Sequence, residues 1–150
     1  MTPINQILKV KGHEVYSIGP KETVYAAIEL MADKDVGSLL VMDGMRLVGI
    51  LTERHYARDV MLKGRTSPQT LVQDIMETPI AVEPDETVEA CLAIMTEERV
   101  RHLPVIDSDR VVGIVSIGDL VKSVIDEQRF TIGQLEAYIH GEPPRAETPR

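Results

Sequence analysis

The sequence predicts an α/β (α+β) chain built from two copies of one small unit, and three observations carry that reading. First, residues 20–61 align without a gap on residues 84–125, with 15 identities in 42 pairs; about two or three are expected by chance at average composition. Second, within each copy short β-branched runs alternate with segments whose apolar residues recur at helical spacing. Third, a hydroxyl residue marks each switch from run to helix: Thr23 and Thr52 in the first copy, Thr87 and Ser116 in the second. Each unit reads strand, helix, strand, strand, helix. A unit this small buries too little apolar surface to be comfortable alone, so the two are expected to pack as a pseudo-twofold pair.

Thr2-Pro3 reads as an N-cap followed by proline at the first helical position. It opens a short N-terminal helix through Ile4, Ile7, Leu8 and Val10, which Gly12 closes. Val15 to Ile18 is a strand ended by Gly19-Pro20, and Thr23 caps a helix with Val24, Ala27, Ile28 and Met31 on one face. Ser38 to Met42 and Arg46 to Leu51 are strands joined at Asp43-Gly44, a hairpin turn signal. A helix follows from Glu53 to Leu62. Lys63 to Thr70 is polar and reads as a linker, and Leu71 to Met76 as one or two helical turns.

The second copy opens with a strand at Thr78 to Val82, with Pro79 near its edge. Thr87 then caps a helix that buries Val88, Cys91, Leu92 and Met95. His102 to Ile106 and Val111 to Val115 form a hairpin about Asp107 to Arg110, and Ser116 opens a helix carrying Leu120, Val121, Val124 and Ile125. A last helix starts near Thr131, shows Ile132, Leu135 and Ile139 on one side, and stops at Gly141. These readings give domains at 14–63 and 77–126 with a linker at 64–76, then a C-terminal helix at 127–141. Residues 142–150 have no apolar face and are expected to be a disordered tail.

Apolar residues make up 43% of 150, enough for a core, and with only four Tyr and one Phe that core must be aliphatic. A net charge of −8 argues against a nucleic-acid partner, although a local cluster of Arg can still draw a small anion. The single cysteine, Cys91, permits no internal disulfide and no thiolate cage; on an apolar helix face it reads as a small buried hydrophobe. His13, His55, His102 and His140 lack metal-ligand spacing, so no metal is expected. No run approaches the roughly 18 apolar residues of a membrane span, and the start lacks the basic and apolar regions of a signal peptide. The expected location is the cytoplasm, away from any membrane. No nucleophile–base–acid constellation stands out, so the chain is not read as an enzyme.

The chemistry concentrates where the second copy's last strand runs into its last helix, at Val115-Ser116-Ile117-Gly118-Asp119. One reading is purely structural: S-x-x-D is a capping box that satisfies free amides of the first helical turn. The other uses the same geometry. A strand running straight into a helix leaves free N–H groups facing outward, a ready phosphate site, and Asp119 can accept hydrogen bonds from the two hydroxyls of a ribose.

The repeat resembles the CBS domain, and the whole arrangement resembles a tandem CBS pair, or Bateman module, over roughly residues 14–126. The resemblance rests on Gly113-Ile114-Val115-Ser116-Ile117-Gly118-Asp119, on Val100-Arg101-His102-Leu103-Pro104-Val105-Ile106-Asp107, and on the repeat itself. It implies a stand-alone, non-catalytic regulatory protein. The ligand would be an adenosine-containing nucleotide (AMP, ADP or ATP, with NAD or S-adenosylmethionine as alternatives), held in a cleft between two units and reporting energy or redox state. Carried over residue by residue, Asp119 holds the ribose, Ser116 contacts ribose or phosphate, and Ile114 lies along the adenine. Arg101 and His102 face the phosphates, while Tyr16 and Gly37 of the first unit line the same cleft. The resemblance also implies a homodimer, with the helices around Ile28–Met31 and Cys91–Met95 as candidate surfaces or, alternatively, simply core, and a protein target that the sequence does not name.

The first copy departs from the pattern. Thr52 is present, but the aspartate position holds His55, and a neutral imidazole offers one acceptor where a carboxylate offers several. Arg54 and Arg58 still bring positive charge, and a second cleft, lined also by Thr78 and Ile80, is expected to be empty, weaker or reserved for another ligand; the two arginines read first as a solvated helix face with carboxylate partners. Two other functions stay open: a dimerisation or scaffold module that binds no ligand, and a metal- or redox-linked regulator using His55, His102 and Cys91.

Overall fold

The computed structural model describes residues 2–141, so the tail expected at 142–150 lies outside the described residues. The hydroxyl residues start their helices as the sequence predicts. Thr23 accepts a hydrogen bond from the Ala26 amide at 3.1 Å and opens α2 (Val24–Lys34). Thr87 does the same for Ala90 at 3.1 Å and opens α5 (Val88–Glu98). Both helices end on a non-glycine residue in the left-handed region, Asp35 at φ 53° and Arg99 at φ 56°, again 64 positions apart. The repeat thus extends to the local backbone.

The order of elements is α1 (Ile4–Lys11), β1 (Ser17–Ile18), α2, β2 (Ser38–Asp43), β3 (Arg46–Thr52), α3 (Glu53–Tyr56), α4 (Val72–Ile75), α5, β4 (His102–Asp107), β5 (Arg110–Ser116) and α6 (Ile117–Ile139). A π-helical turn at Ala57–Met61 extends α3, and a 3₁₀ turn at Ser67–Gln69 interrupts the linker. This is a mixed helix-and-strand fold, as predicted. Among the described residues no helix is long and apolar enough to cross a membrane.

The chain divides into two compact units. One comprises residues 14–81 and 104–113, the other residues 2–13, 82–103 and 114–141. In the first, β1 lies parallel to β2 with Ser17 opposite Leu40, and β2 pairs antiparallel with β3 with Leu40 opposite Ile50. Gly44 makes the turn between β2 and β3 at φ 62°, which a glycine adopts freely. Val24, Ala27 and Met31 of α2 pack with Leu39, Val41 and Leu51 into an aliphatic core. In the second unit Ile4 and Leu8 of α1, Val88, Cys91 and Met95 of α5 and Leu120 of α6 are buried. The β4–β5 hairpin turns through Ser108 and Asp109, at φ 51° and 65°, the double positive φ of a tight two-residue hairpin.

Three expectations are corrected. Thr78 to Val82 forms no strand: Pro79 lacks a donor, the isolated bridge between Ile50 and Glu77 falls just before the segment, and within it Val82 alone makes an isolated bridge. The second repeat's sheet therefore has two strands, β4 and β5. Helix α1 starts one residue late, with Pro3 rather than Thr2 at the cap, because the Thr2 carbonyl is taken by the Val88 amide at 2.9 Å. No break separates a helix at 127–141, since α6 runs unbroken from Ile117 to Ile139. Residues 126–131 carry no proline or glycine to stop it, and Gly133 is tolerated inside. In the stretches offered as candidate dimer surfaces, Met31, Cys91 and Met95 are at most 3% exposed, whereas Ile28, Leu92 and Ile94 are only partly buried.

Candidate functional site

At the β5–α6 junction Ser116 has extended backbone, φ −102° and ψ 164°, and Ile117 begins the helix. The Ser116 hydroxyl accepts from the Asp119 amide at 3.2 Å, and the Ser116 amide donates to Asp119 Oδ2 at 2.8 Å. The capping box is complete. It leaves Asp119 held at the mouth of the helix, with 24% of its side chain exposed.

A residue that sequence reasoning missed completes this cluster. Lys11, the last residue of α1, donates from Nζ to Asp119 Oδ2 at 2.7 Å and to the Ile114 carbonyl at 2.8 Å. Burial alone would raise the Asp119 pKa. The hydrogen bonds from Lys11 and from the Ser116 amide outweigh burial and hold the carboxyl below its usual range. His102 is half-buried, and burial, reinforced by the nearby Lys11 charge, pushes its pKa down. Near neutral pH it is therefore an uncharged imidazole and brings polarity rather than charge. Arg101 is exposed, and its carbonyl accepts from the Ile117 amide at 2.9 Å. Asp119, Ser116, Ile114, Arg101 and His102 thus gather at one end of one unit.

Tyr16 and Gly37 belong to the other unit. The Tyr16 carbonyl accepts from the Leu40 amide at 3.1 Å, and Lys34 Nζ lies 5.7 Å from the Tyr16 ring centroid. The Gly37 carbonyl accepts from the Glu53 amide at 3.1 Å, which ties the start of α3 to the entry of β2.

The position equivalent to Asp119 is closed differently. Thr52 accepts from the His55 amide at 3.2 Å, and the Thr52 amide donates to His55 Nδ1 at 3.2 Å. Because Nδ1 accepts, the neutral ring carries its proton on Nε2, which faces Glu77 Oε2 at 3.2 Å. His55 is 7% exposed, and burial lowers its pKa despite the carboxylate beside it. Arg58 donates to Glu77 Oε1 at 2.7 Å and also pairs with Asp59, so its charge is already met by two carboxylates. Arg58 thus has the carboxylate partners expected of a solvated helix face. Thr52, His55 and Arg58 are together with Glu77, a residue absent from the expected set, while Arg54 and Thr78 are exposed and Ile80 is half-buried. Cys91 is buried, with its thiol pushed up to about 11, and among the described residues no three His, Cys, Asp or Glu side chains are grouped to hold a metal.

Two capped strand-to-helix junctions at matching places in a repeat suggest the family, and the CBS-domain family profile decides it by matching residues 9–61 and 72–126. The chain is a tandem CBS-domain protein. The CBS pair is 38% identical over 150 residues to the mitochondrial CBS domain-containing protein CBSX3 of Arabidopsis thaliana, covering 93% of this chain and 73% of the relative. Among solved structures it is similar to a CBS-domain protein from Burkholderia ambifaria, at 49% identity and a TM-score of 0.81, covering 85% of this chain and 96% of that one. A CBS-domain protein from Pyrobaculum aerophilum complexed with AMP shares the fold at 20% identity and a TM-score of 0.71, over 79% of this chain and 89% of that one.

Proposed function

We propose that this CBS pair is a non-catalytic sensor of an adenosine-containing nucleotide (AMP, ADP or ATP, with NAD or S-adenosylmethionine as alternatives), acting in the cytoplasm. The observation that supports it is Asp119: a charged, largely buried carboxylate held at the first turn of α6 by the Ser116 amide, where a ribose diol can be gripped. Ser116 and Ile114 flank it, and Arg101, His102, Gly37 and Tyr16 complete the set the family resemblance implies. The pairing of His55 with Glu77 fills the matching position of the first repeat, which makes Thr52, His55, Arg54, Arg58, Thr78 and Ile80 a weaker site. Occupancy would shift the population toward one arrangement that a protein target reads as energy or redox state. A thermal-shift panel of AMP, ADP, ATP, NAD and S-adenosylmethionine on the full chain tests this. A rise in Tm with at least one ligand, lost in Asp119→Asn, is the expected result.

A specific observation also favours self-association. The exposed apolar residues Val121, Ile125, Ile132, Leu135 and Ile139 recur along α6 in steps of four, seven, three and four, a heptad seam on which a second copy of the same helix can pack. We read this as a candidate homodimer surface beside those on α2 and α5. If dimerisation is the whole function, none of the five ligands moves the Tm.

A further inference from the structure

Lys11 is not a loose surface lysine. Its helix is fastened to its own unit by Ile4 and Leu8, at most 1% exposed, and by bonds from the Ile4 amide to the Glu86 carbonyl (2.9 Å) and the Asn5 amide to the Pro84 carbonyl (3.0 Å). Gly12, at φ 103°, closes the helix with its amide on the Leu8 carbonyl at 2.7 Å. The backbone of Lys11 is therefore fixed, while its four-carbon arm leaves the ammonium free to reorient. That ammonium bonds two acceptors, Asp119 Oδ2 and the Ile114 carbonyl, and both belong to residues assigned to the ligand.

We propose that Lys11 determines specificity at the Ser116–Asp119 site, as a tethered cation that occupies the ribose-binding carboxylate until a ligand supplies an anion in exchange. The inference rests on the nucleotide reading above. An ammonium has donors and no acceptors, so it competes with the ribose hydroxyls for Asp119, whose Oδ2 it shares with the Ser116 amide. A neutral nucleoside takes the carboxylate and leaves the ammonium near the uncharged His102 with no anion in exchange. A nucleoside phosphate re-pairs it. The site thereby selects phosphorylated adenosine compounds over adenosine itself, without any glycine-rich phosphate loop.

The experiment is calorimetric titration of adenosine and AMP into the full chain, as wild type, Lys11→Met, Lys11→Gln, Lys11→Arg and Asp119→Asn. The wild type should prefer AMP. Lys11→Met and Lys11→Gln should each shrink the AMP-to-adenosine affinity ratio about tenfold, the scale of a charge-assisted bond on a partly exposed pair. Adenosine should gain and AMP should lose, and Lys11→Arg should keep the preference. Two neutral variants guard against one that folds poorly. If AMP binds and Asp119→Asn weakens it, but the ratio stays within twofold in both neutral variants, the Lys11 proposal is overturned and the nucleotide reading survives. If neither adenosine nor AMP binds wild type or the neutral Lys11 variants, this inference is overturned, while the nucleotide reading is decided by the five-ligand thermal-shift panel.

Discussion

His55 Nε2 lies 3.2 Å from Glu77 Oε2, whereas at the equivalent place in the second repeat Asp119 Oδ2 lies 2.7 Å from Lys11 Nζ. The two repeats use the third helical position in the same capping geometry but with opposite polarity. One presents a donor to a carboxylate, the other a carboxylate to a cation. Changing one member of either pair therefore leaves a partner chosen for the other sign.

That polarity sets what His55→Asp does. Alone, it puts a carboxylate against Glu77, and like charges at this separation should destabilise the fold by ~1 kcal/mol, the pair being partly exposed. The double variant His55→Asp with Glu77→Gln removes the repulsion. It should recover the lost Tm and add a second nucleotide per chain. Thermal denaturation and titration stoichiometry check both points, and a second site in the single variant with unchanged Tm would show that Glu77 does not matter.

Stability should fall with acid before the carboxylates titrate. His55 and His102 both have pKa values lowered in the fold, first by burial. A base with a depressed folded pKa contributes stability that is fully present above its unfolded value, about 6.5, and is lost as pH falls below that value because the unfolded chain takes the proton first. Asp119 and Glu77 have lowered pKa values, so their contribution is lost only at more acid pH. Tm should drop from about pH 7 to about pH 5, and the drop should shrink in the double variant His55→Gln/His102→Gln. An equal slope in that variant would assign the loss elsewhere.

The cap itself can be weighed separately from the ligand. Ser116→Ala removes the acceptor for the Asp119 amide and should cost about 1 kcal/mol of stability, the usual worth of an N-cap. Thr87→Ala, which removes the matching cap of α5, should cost a similar amount yet leave nucleotide affinity unchanged. Chemical denaturation with parallel titrations checks the pair.

The α6 seam predicts its own disruption. Leu135→Glu, at a position 58% exposed, should leave the Tm of a monomer untouched and convert a dimer to monomer by light scattering. A wild type that runs as a monomer at every concentration tested would remove α6 from consideration.

What could be read in the sequence was local. Thr23, Thr87, Ser116 and Asp119 carry their partners within three residues, so the hydroxyl and the spacing suffice to place the caps. The strand expected at Thr78 to Val82 misled because Ile80 and Val82 alternate correctly, while Pro79 removes the donor a ladder needs. The break in α6 misled because Glu127, Gln128 and Arg129 interrupt the apolar pattern, yet all three are good helix formers. Lys11 and Glu77 were out of reach for a different reason. Each sits beyond the aligned repeat, and Lys11 is 108 residues from Asp119. The placement of α1 and α4 shows in the structure: the Ile4 amide bonds the Glu86 carbonyl as the Val72 amide bonds the Glu22 carbonyl, both at 2.9 Å. Helix α1 therefore serves the second repeat as α4 serves the first.

The most direct test of the central claim is calorimetric titration of AMP and ATP into wild type and Asp119→Asn, with the Tm of each recorded alongside. The account predicts one tight nucleotide per wild-type chain. In Asp119→Asn, affinity should fall about ten- to a hundredfold, the worth of a hydrogen bond to a charged group, while stability changes by less than ~1 kcal/mol. Unchanged affinity alongside a large loss of stability would contradict it and leave Asp119 as a helix cap and nothing more, and two equal sites per chain would contradict the asymmetry between Asp119 and His55.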